Sequence, residues 1–366
     1  MAEPAARHHA RVGRSLAPRE PAHEQSGPEA FFAAVAGTFE RAVRKGPSAE
    51  TRDYLIAHRL VRLRFAGGAL IPIVTPALDH LRADGAGEPA LTVCLWDGAT
   101  TGAGMPPLPW STLDYRPHGE IAGYSTERFR TSVNLGARQL SAIDLDRGLA
   151  FSAIADPALV PFAERGSALL RIFHWWMERH RRQLIHAAAV GNRRGGVLLA
   201  GRGGSGKSST ALTCLGSELA YVGDDYCLLG LETEPRVYSL FNSGKVALED
   251  RAHFPALTPA AASDGKALFF IERLRPDALL PECPVSAVVL PEVGAHARTS
   301  LRPVSALTAL RELAPSTIFQ LSRSGEQAFR AISRLVKQVP CYRLELGPDR
   351  SSIPAVLTGL LPRGSA

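Results

Sequence analysis

The run Gly201-Arg202-Gly203-Gly204-Ser205-Gly206-Lys207-Ser208 holds the residues of this chain whose types and spacing speak most directly of chemistry. The pattern G-x-x-x-x-G-K-[ST] lets backbone N–H groups turn inward around an anion, because glycine at the tight positions puts no Cβ in the way. In such a loop Lys207 reaches β- and γ-phosphates, the Ser208 hydroxyl joins the coordination shell of Mg²⁺, and Gly201 through Ser209 line the nucleotide. A second group follows in Leu219-Ala220-Tyr221-Val222-Gly223-Asp224-Asp225-Tyr226-Cys227-Leu228-Leu229, a strand that stops at two carboxylates and then resumes. Carboxylates at a strand end beside a phosphate loop can bind Mg²⁺, directly or through water, or take a proton from an attacking hydroxyl. The third group is His186, embedded in Leu184-Ile185-His186-Ala187-Ala188-Ala189-Val190, where a partly buried ring is expected. A histidine in such a run is more often structural than catalytic, so it gains weight only from its company.

The elements needed to hold these groups are legible around them. Val197-Leu198-Leu199-Ala200 is an apolar run of buried-strand type entering the loop, and Ser209-Thr210-Ala211-Leu212-Thr213-Cys214-Leu215 continues as a helix leaving it, its N-terminus toward the phosphates. Ligands of a parallel sheet gather at the carboxyl ends of its strands, which is where Asp224 and Asp225 are expected to meet the loop.

Together the three groups resemble the HPr kinase/phosphorylase family, in which a histidine, a phosphate loop, a helix and a strand ending in Asp-Asp follow in that order at similar intervals. The resemblance covers roughly residues 184–230. It implies an α/β fold with a P-loop nucleotide-binding core like that of HPr kinase and phosphoenolpyruvate carboxykinase, and phosphorylation of a hydroxyl on a protein or peptide. Carried over, Lys207 and Ser208 hold phosphate and Mg²⁺, Asp225 is the general base, and His186 assists near the transferred phosphoryl. It also implies that copies of the chain assemble, although no interface is fixed by the sequence. The family's downstream glutamate-arginine-glycine signature is not found; the corresponding stretch reads Pro235-Arg236-Val237-Tyr238-Ser239-Leu240-Phe241-Asn242-Ser243-Gly244-Lys245. HPr as acceptor and the reverse phosphorylase reaction are therefore not carried over, and the chain looks like a divergent relative.

The expectation is thus an ATP- and Mg²⁺-dependent kinase acting on a serine of a protein or peptide, with Asp224 joining Ser208 around the metal. A second reading stays open, a nucleotide-binding regulatory protein with little or no transfer. The net charge of +7 raises nucleic acid as a third partner class. Its excess concentrates just before the loop, in Arg171, Arg179, Arg181, Arg182, Arg193 and Arg194 against Glu178, and no nucleic-acid module accompanies it, so no nucleic-acid partner is expected. No apolar run approaches the roughly 20 residues of a membrane span, and Met1 to Pro28 lacks a secretory h-region, so cytoplasm and no membrane are expected. Cys94, Cys214, Cys227, Cys283 and Cys341 are widely spaced and suit buried free thiols.

Three segments are expected: a disordered tail over 1–28, a small α+β domain over 29–155 of structural or partner-recognising use, and the nucleotide-binding domain over 156–366. Helices are expected from Glu29 to Lys45, Pro76 to Leu81, about Pro161 to Arg182, and Gln327 to Val336, with a helix cap at Ala314-Pro315-Ser316-Thr317. Strands are expected at Arg59–Phe65, Leu91–Trp96, Arg130–Leu135, Arg236–Leu240, Ala287–Leu290 and Tyr342–Leu346, and a loop over Ala99–Pro117. Trp175-Trp176 reads as packing, and Lys245 as a surface lysine with phosphate or acceptor contact as its alternative; Arg273 and Arg275 carry the same alternative more weakly.

Overall fold

The computed structural model describes residues 27–85, 87–322 and 325–363. The expected disordered tail therefore lies outside the described residues except for Gly27 and Pro28, and Pro28 already opens helix α1 (Pro28–Lys45). Proline suits a first helical position, since its missing N–H would have no partner there. Phe31, Phe32, Val35, Phe39 and Ala42 recur at helical spacing and are all buried. They pack on a seven-stranded sheet ordered β3-β1-β2-β4-β7-β6-β5. Its strands are β1 (Ala49–Ile56), β2 (Arg59–Ala66), β3 (Arg82–Ala83), β4 (Leu91–Asp97), β5 (Phe129–Asn134), β6 (Gln139–Asp144) and β7 (Leu149–Ile154). Phe32 meets Phe151 at 5.2 Å between ring centroids, and Phe39 meets Trp96 at 6.0 Å. The segment Pro76–Leu81 is a turn ending in a short 3₁₀ piece, with the helical turn α2 (Ile71–Val74) ahead of it; the expected helix is not formed. The expected loop over Ala99–Pro117 begins inside another turn, α3 (Gly98–Thr101), capped by the Asp97 side chain.

The helix expected from Pro161 to Arg182 is two pieces, α4 (Phe162–Arg165) and α5 (Leu170–Arg179), broken at Gly166–Leu169, where Leu169 adopts φ +62°. Arg182 already belongs to a strand, β8 (Arg182–Ile185). Trp175 and Trp176 are buried in packing, as their pairing with an apolar helix face predicted. Phe173 and Trp176 of α5 join Tyr54, Ile56 and Phe65 from the first sheet with Leu184, Leu228 and Phe241 in one apolar cluster, so a single core runs across the two halves. Burying side chains of this size contributes roughly 1.5–3 kcal/mol each.

The second sheet is mixed, not parallel. Its path is β11-β9-β10-β17-β13-β12-β8, with β19 attached to β17 and β18 to β19. The strands are β8, β9 (Ala188–Asn192), β10 (Gly195–Leu199), β11 (Ala220–Gly223), β12 (Cys227–Gly230) and β13 (Arg236–Tyr238). A separate three-stranded sheet holds β14 (Ser243–Ala247), β15 (Ala261–Ser263) and β16 (Lys266–Phe270). The list closes with β17 (Glu282–Val293), β18 (Ser300–Val304) and β19 (Cys341–Leu346). Alternation along β10 explains its layers: Leu198 faces one apolar cluster and Val197 and Leu199 face another. On the first face lie α8 (Ala306–Ile318) and α9 (Gly325–Gln338); on the second lie α6 (Lys207–Thr213) and α10 (Ile353–Thr358), the one-turn α7 being Ile271–Leu274. Ala314 to Thr317 lies inside α8, which Ser305 caps, so the expected cap there is in fact the helix's last turn. All five cysteines are buried free thiols. Among the described residues no helix is long and apolar enough to cross a membrane.

Candidate functional site

Strand direction brings the loop and the acid pair together even though the sheet is mixed. β9 runs antiparallel to both β10 and β11, so β10 and β11 run the same way with β9 between them. Their carboxyl ends deliver residues 200–206 and Asp224 to the same edge of the sheet. The helix after the loop spans Lys207–Thr213, as long as the expected Ser209–Leu215 but two residues earlier in the chain.

Within the loop, Gly201, Gly204 and Gly206 adopt positive φ. Gly206 has φ +97°, and a Cβ there would come within 2.9 Å of the Leu346 side chain, so both backbone and packing demand glycine. Gly203 carries no such demand: a Cβ would meet nothing within 4 Å. Lys207 is only 6% exposed and folds back over the loop, its Nζ donating to the carbonyls of Gly201 at 2.7 Å and Arg202 at 3.0 Å. Burial lowers its pKa, opposed by the charges of Asp224 and Asp225. The Ser205 Oγ is buried and, among the described residues, has no hydrogen-bond partner, while the Ser208 side chain lies near enough to Asp224 to lower its pKa. The Ser209 carbonyl accepts from Thr213 Oγ1 at 2.8 Å.

The two aspartates play different parts because the backbone turns between them. Asp225 sits at φ +60°, a conformation Asp tolerates better than most residues, which sends β12 away from β11. Asp224 is 1% exposed; its Oδ2 accepts the Lys245 backbone N–H at 3.4 Å and its Oδ1 has no partner among the described residues. Burial first, and the neighbouring Asp225 charge second, push its pKa up to about 6. Asp225 goes the other way. Burial would raise its pKa, but the charge and hydrogen bond of Lys245, with help from His186 and Lys266, hold it below the ordinary value. Lys245 Nζ lies 2.9 Å from Asp225 Oδ2 and 3.3 Å from the Ala163 carbonyl. With a side chain only 10% exposed, Lys245 is not the surface lysine expected from sequence.

His186 is buried and lies between β8 and β9, its backbone N–H donating to Thr317 Oγ1 at 3.0 Å. Its Nε2 is 4.0 Å from Asp225 Oδ1, its Nδ1 is buried without a partner, and its ring lies 5.7 Å from that of Tyr226. Burial, then the Lys207 charge, lowers its pKa to about 4, so the ring is neutral near pH 7. It offers a hydrogen bond or a lone pair there, not a positive charge.

Several neighbours were not legible from sequence. Arg343 on β19 pairs with Glu292 at 2.9 Å and Glu312 at 2.7 Å, and a Cβ on Gly201 would stand 3.8 Å from Glu312. Glu292 follows the apolar run Val288-Val289-Leu290 of β17, so the cue that singled out Asp224, an acid at a strand end, applied here as well. The arginines before the loop do not gather at it. Arg179 pairs with Asp146 at 2.6 Å, Arg182 with Glu232, and Arg193 and Arg194 occupy the β9–β10 turn at the opposite end of β10. Arg273 lies over the Phe270 ring and Arg275 pairs with Asp277, both away from the loop.

No family model matches this chain, and no curated protein matches its sequence. Among solved structures, the HPr(Ser) kinase/phosphatase from Coxiella burnetii is similar at a TM-score of 0.27 and 13% identity, over 49% of this chain and 93% of that one. Likeness at that level settles neither fold nor activity, and the chemistry must be read from the residues themselves.

Proposed function

We propose that the chain is an ATP- and Mg²⁺-dependent kinase that transfers the γ-phosphoryl group to a hydroxyl, a serine of a protein or peptide. The observation that carries the reading is the convergence of a buried Lys207, a carboxyl pair and a neutral histidine at the carboxyl edge of one sheet. Lys207 already satisfies its ammonium on loop carbonyls, an arrangement that phosphate oxygens can replace without moving the backbone. Phosphoryl transfer asks mainly for positioning and charge neutralisation, and this set supplies both.

The residues fit a divalent cation. Asp224 Oδ1 is a buried oxygen without a partner among the described residues, and the carboxyl is held partly protonated by burial and by Asp225. A cation held by Asp224 and Ser208 would restore its ionised form and neutralise developing phosphate charge. Asp225, kept ionised by Lys245, accepts a hydrogen bond from the acceptor hydroxyl and takes its proton as the new P–O bond forms. The neutral His186 donates a hydrogen bond in the same space.

The test is incubation with Mg²⁺ and γ-labelled ATP in the presence of serine-bearing proteins and peptides. Label should appear on an acceptor serine, vanish in Lys207→Ala, and fall by about two orders of magnitude or more in Asp225→Asn. Full transfer by Asp225→Asn would remove the base from this scheme; nucleotide binding without transfer to any acceptor would favour the regulatory reading.

A further inference from the structure

A polar cavity of about 110 Å³ lies between the β5–β6 face of the first sheet and the start of α5, its lining distinct from the loop and the carboxyl pair. Its volume is room for several waters or one compact organic molecule. The wall carries both signs of charge. Glu164 lines it, its Oε1 taking one hydrogen bond from Asn134 Nδ2 at 2.8 Å, and Arg171 lines it with Nη1 donating to the His118 carbonyl. The two feel each other's charge, yet among the described residues no ion pair joins them. Opposite charges that are desolvated and left apart are costly, unless something between them completes each one.

Two further groups on residues of the wall are buried and, among the described residues, lack a hydrogen-bond partner. His174 is 1% exposed; its Nε2 is engaged with the Ser322 carbonyl at 2.8 Å, which leaves its buried Nδ1 with no hydrogen bond. The Ser322 Oγ, also on the cavity wall, is likewise buried and unpartnered. At the start of the 10-residue α5 the Leu170 N–H donates to the Ser167 carbonyl, and no side chain caps the amides that follow. The wall therefore offers Arg171 to an anion and Glu164 to a donor or cation.

We propose that this cavity is a binding site for a small zwitterion of the α-amino-acid class, with its carboxylate toward Arg171 and the first turn of α5 and its ammonium toward Glu164 and the His174 ring. The inference does not depend on the kinase reading, because none of its residues belongs to the loop or the carboxyl pair.

Calorimetric titration of the full chain with glycine, L-alanine, L-serine and L-threonine tests it, with acetate, ethanolamine and glycerol as partial ligands. At least one amino acid should bind below ~10 mM and at least about tenfold more tightly than every partial ligand. Arg171→Met and Glu164→Gln should each weaken binding about tenfold or more, while Lys207→Ala leaves it unchanged. Ser141→Val, which narrows the same wall without removing a charge, serves if either charge variant fails to fold and should also reduce affinity. No binding of any of the four amino acids to the wild-type chain, equal binding of glycerol, or unchanged affinity in the folded variants would each overturn the proposal.

Discussion

Lys245 sets the ionisation of Asp225 by standing 2.9 Å from its Oδ2, and burial alone would push that carboxyl the other way. Replacing it should therefore be visible in a pH profile. In Lys245→Met, Asp225 should titrate upward, so that the ionised base is lost earlier as pH falls and the acid limb of phosphoryl transfer moves to higher pH. A limb that stays in place would separate Lys245 from the base. That Lys207, Asp224 and Asp225 are neighbours was legible in sequence, because a phosphate loop and a strand end impose local patterns, whereas His186 joined them only through the family resemblance. Lys245 was not, since its partner lies 20 residues earlier and nothing local distinguishes a buried lysine from an exposed one.

α8 supplies an acceptor for the His186 backbone N–H, the hydroxyl of a threonine, Thr317, that is itself fully buried. Thr317→Val keeps the shape but leaves that N–H unsatisfied, a cost of about 1–3 kcal/mol in denaturant unfolding, with transfer reduced as His186 loosens. Unchanged stability would mean the N–H finds another acceptor. Sequence placed a helix cap over Ala314–Thr317 because Pro-Ser-Thr has the composition of a start; inside α8 it is the end, where Pro315 has no N–H to give the Arg311 carbonyl. The same limit applies to α4 and α5. Their apolar spacing suggested one long helix, and the break at Gly166–Leu169 depends on a left-handed Leu169 that no pattern announced. That break also forms one wall of the amino-acid cavity, so the less legible element is the one that shapes a second site.

Across the whole molecule, Asn242 ties the halves: it is wholly buried, its N–H reaches the Ala77 carbonyl at 2.9 Å and its Nδ2 the Pro76 carbonyl at 2.8 Å. Asn242→Leu keeps the backbone bond to Ala77 but takes the side-chain amide away from the Pro76 carbonyl and from His80 Nδ1, and should destabilise the fold by about 2–4 kcal/mol; a loss under ~0.5 kcal/mol would show the seam does not rely on it. Beside it, the half-buried His80 meets Ser239, and loss of solvent lowers its pKa to about 3 from 6.5. Its folded pKa is depressed, so it contributes stability above about pH 6.5 that is lost as pH falls, while raised carboxyls such as Asp224 pull the opposite way below about pH 6. The decisive comparison is therefore with His80→Gln, whose unfolding free energy should fall less steeply between about pH 6.5 and 5, by about 1 kcal/mol per pH unit. Parallel curves would contradict a neutral His80. The central claim is that the β10–α6 loop and the carboxyl pair hold a Mg²⁺–nucleotide, and equilibrium titration with a non-hydrolysable ATP analogue in Mg²⁺ tests it most directly. The wild-type chain should bind with a Kd below ~1 mM and Lys207→Ala at least about tenfold more weakly; no binding by the wild type, or equal binding by the variant, would contradict it.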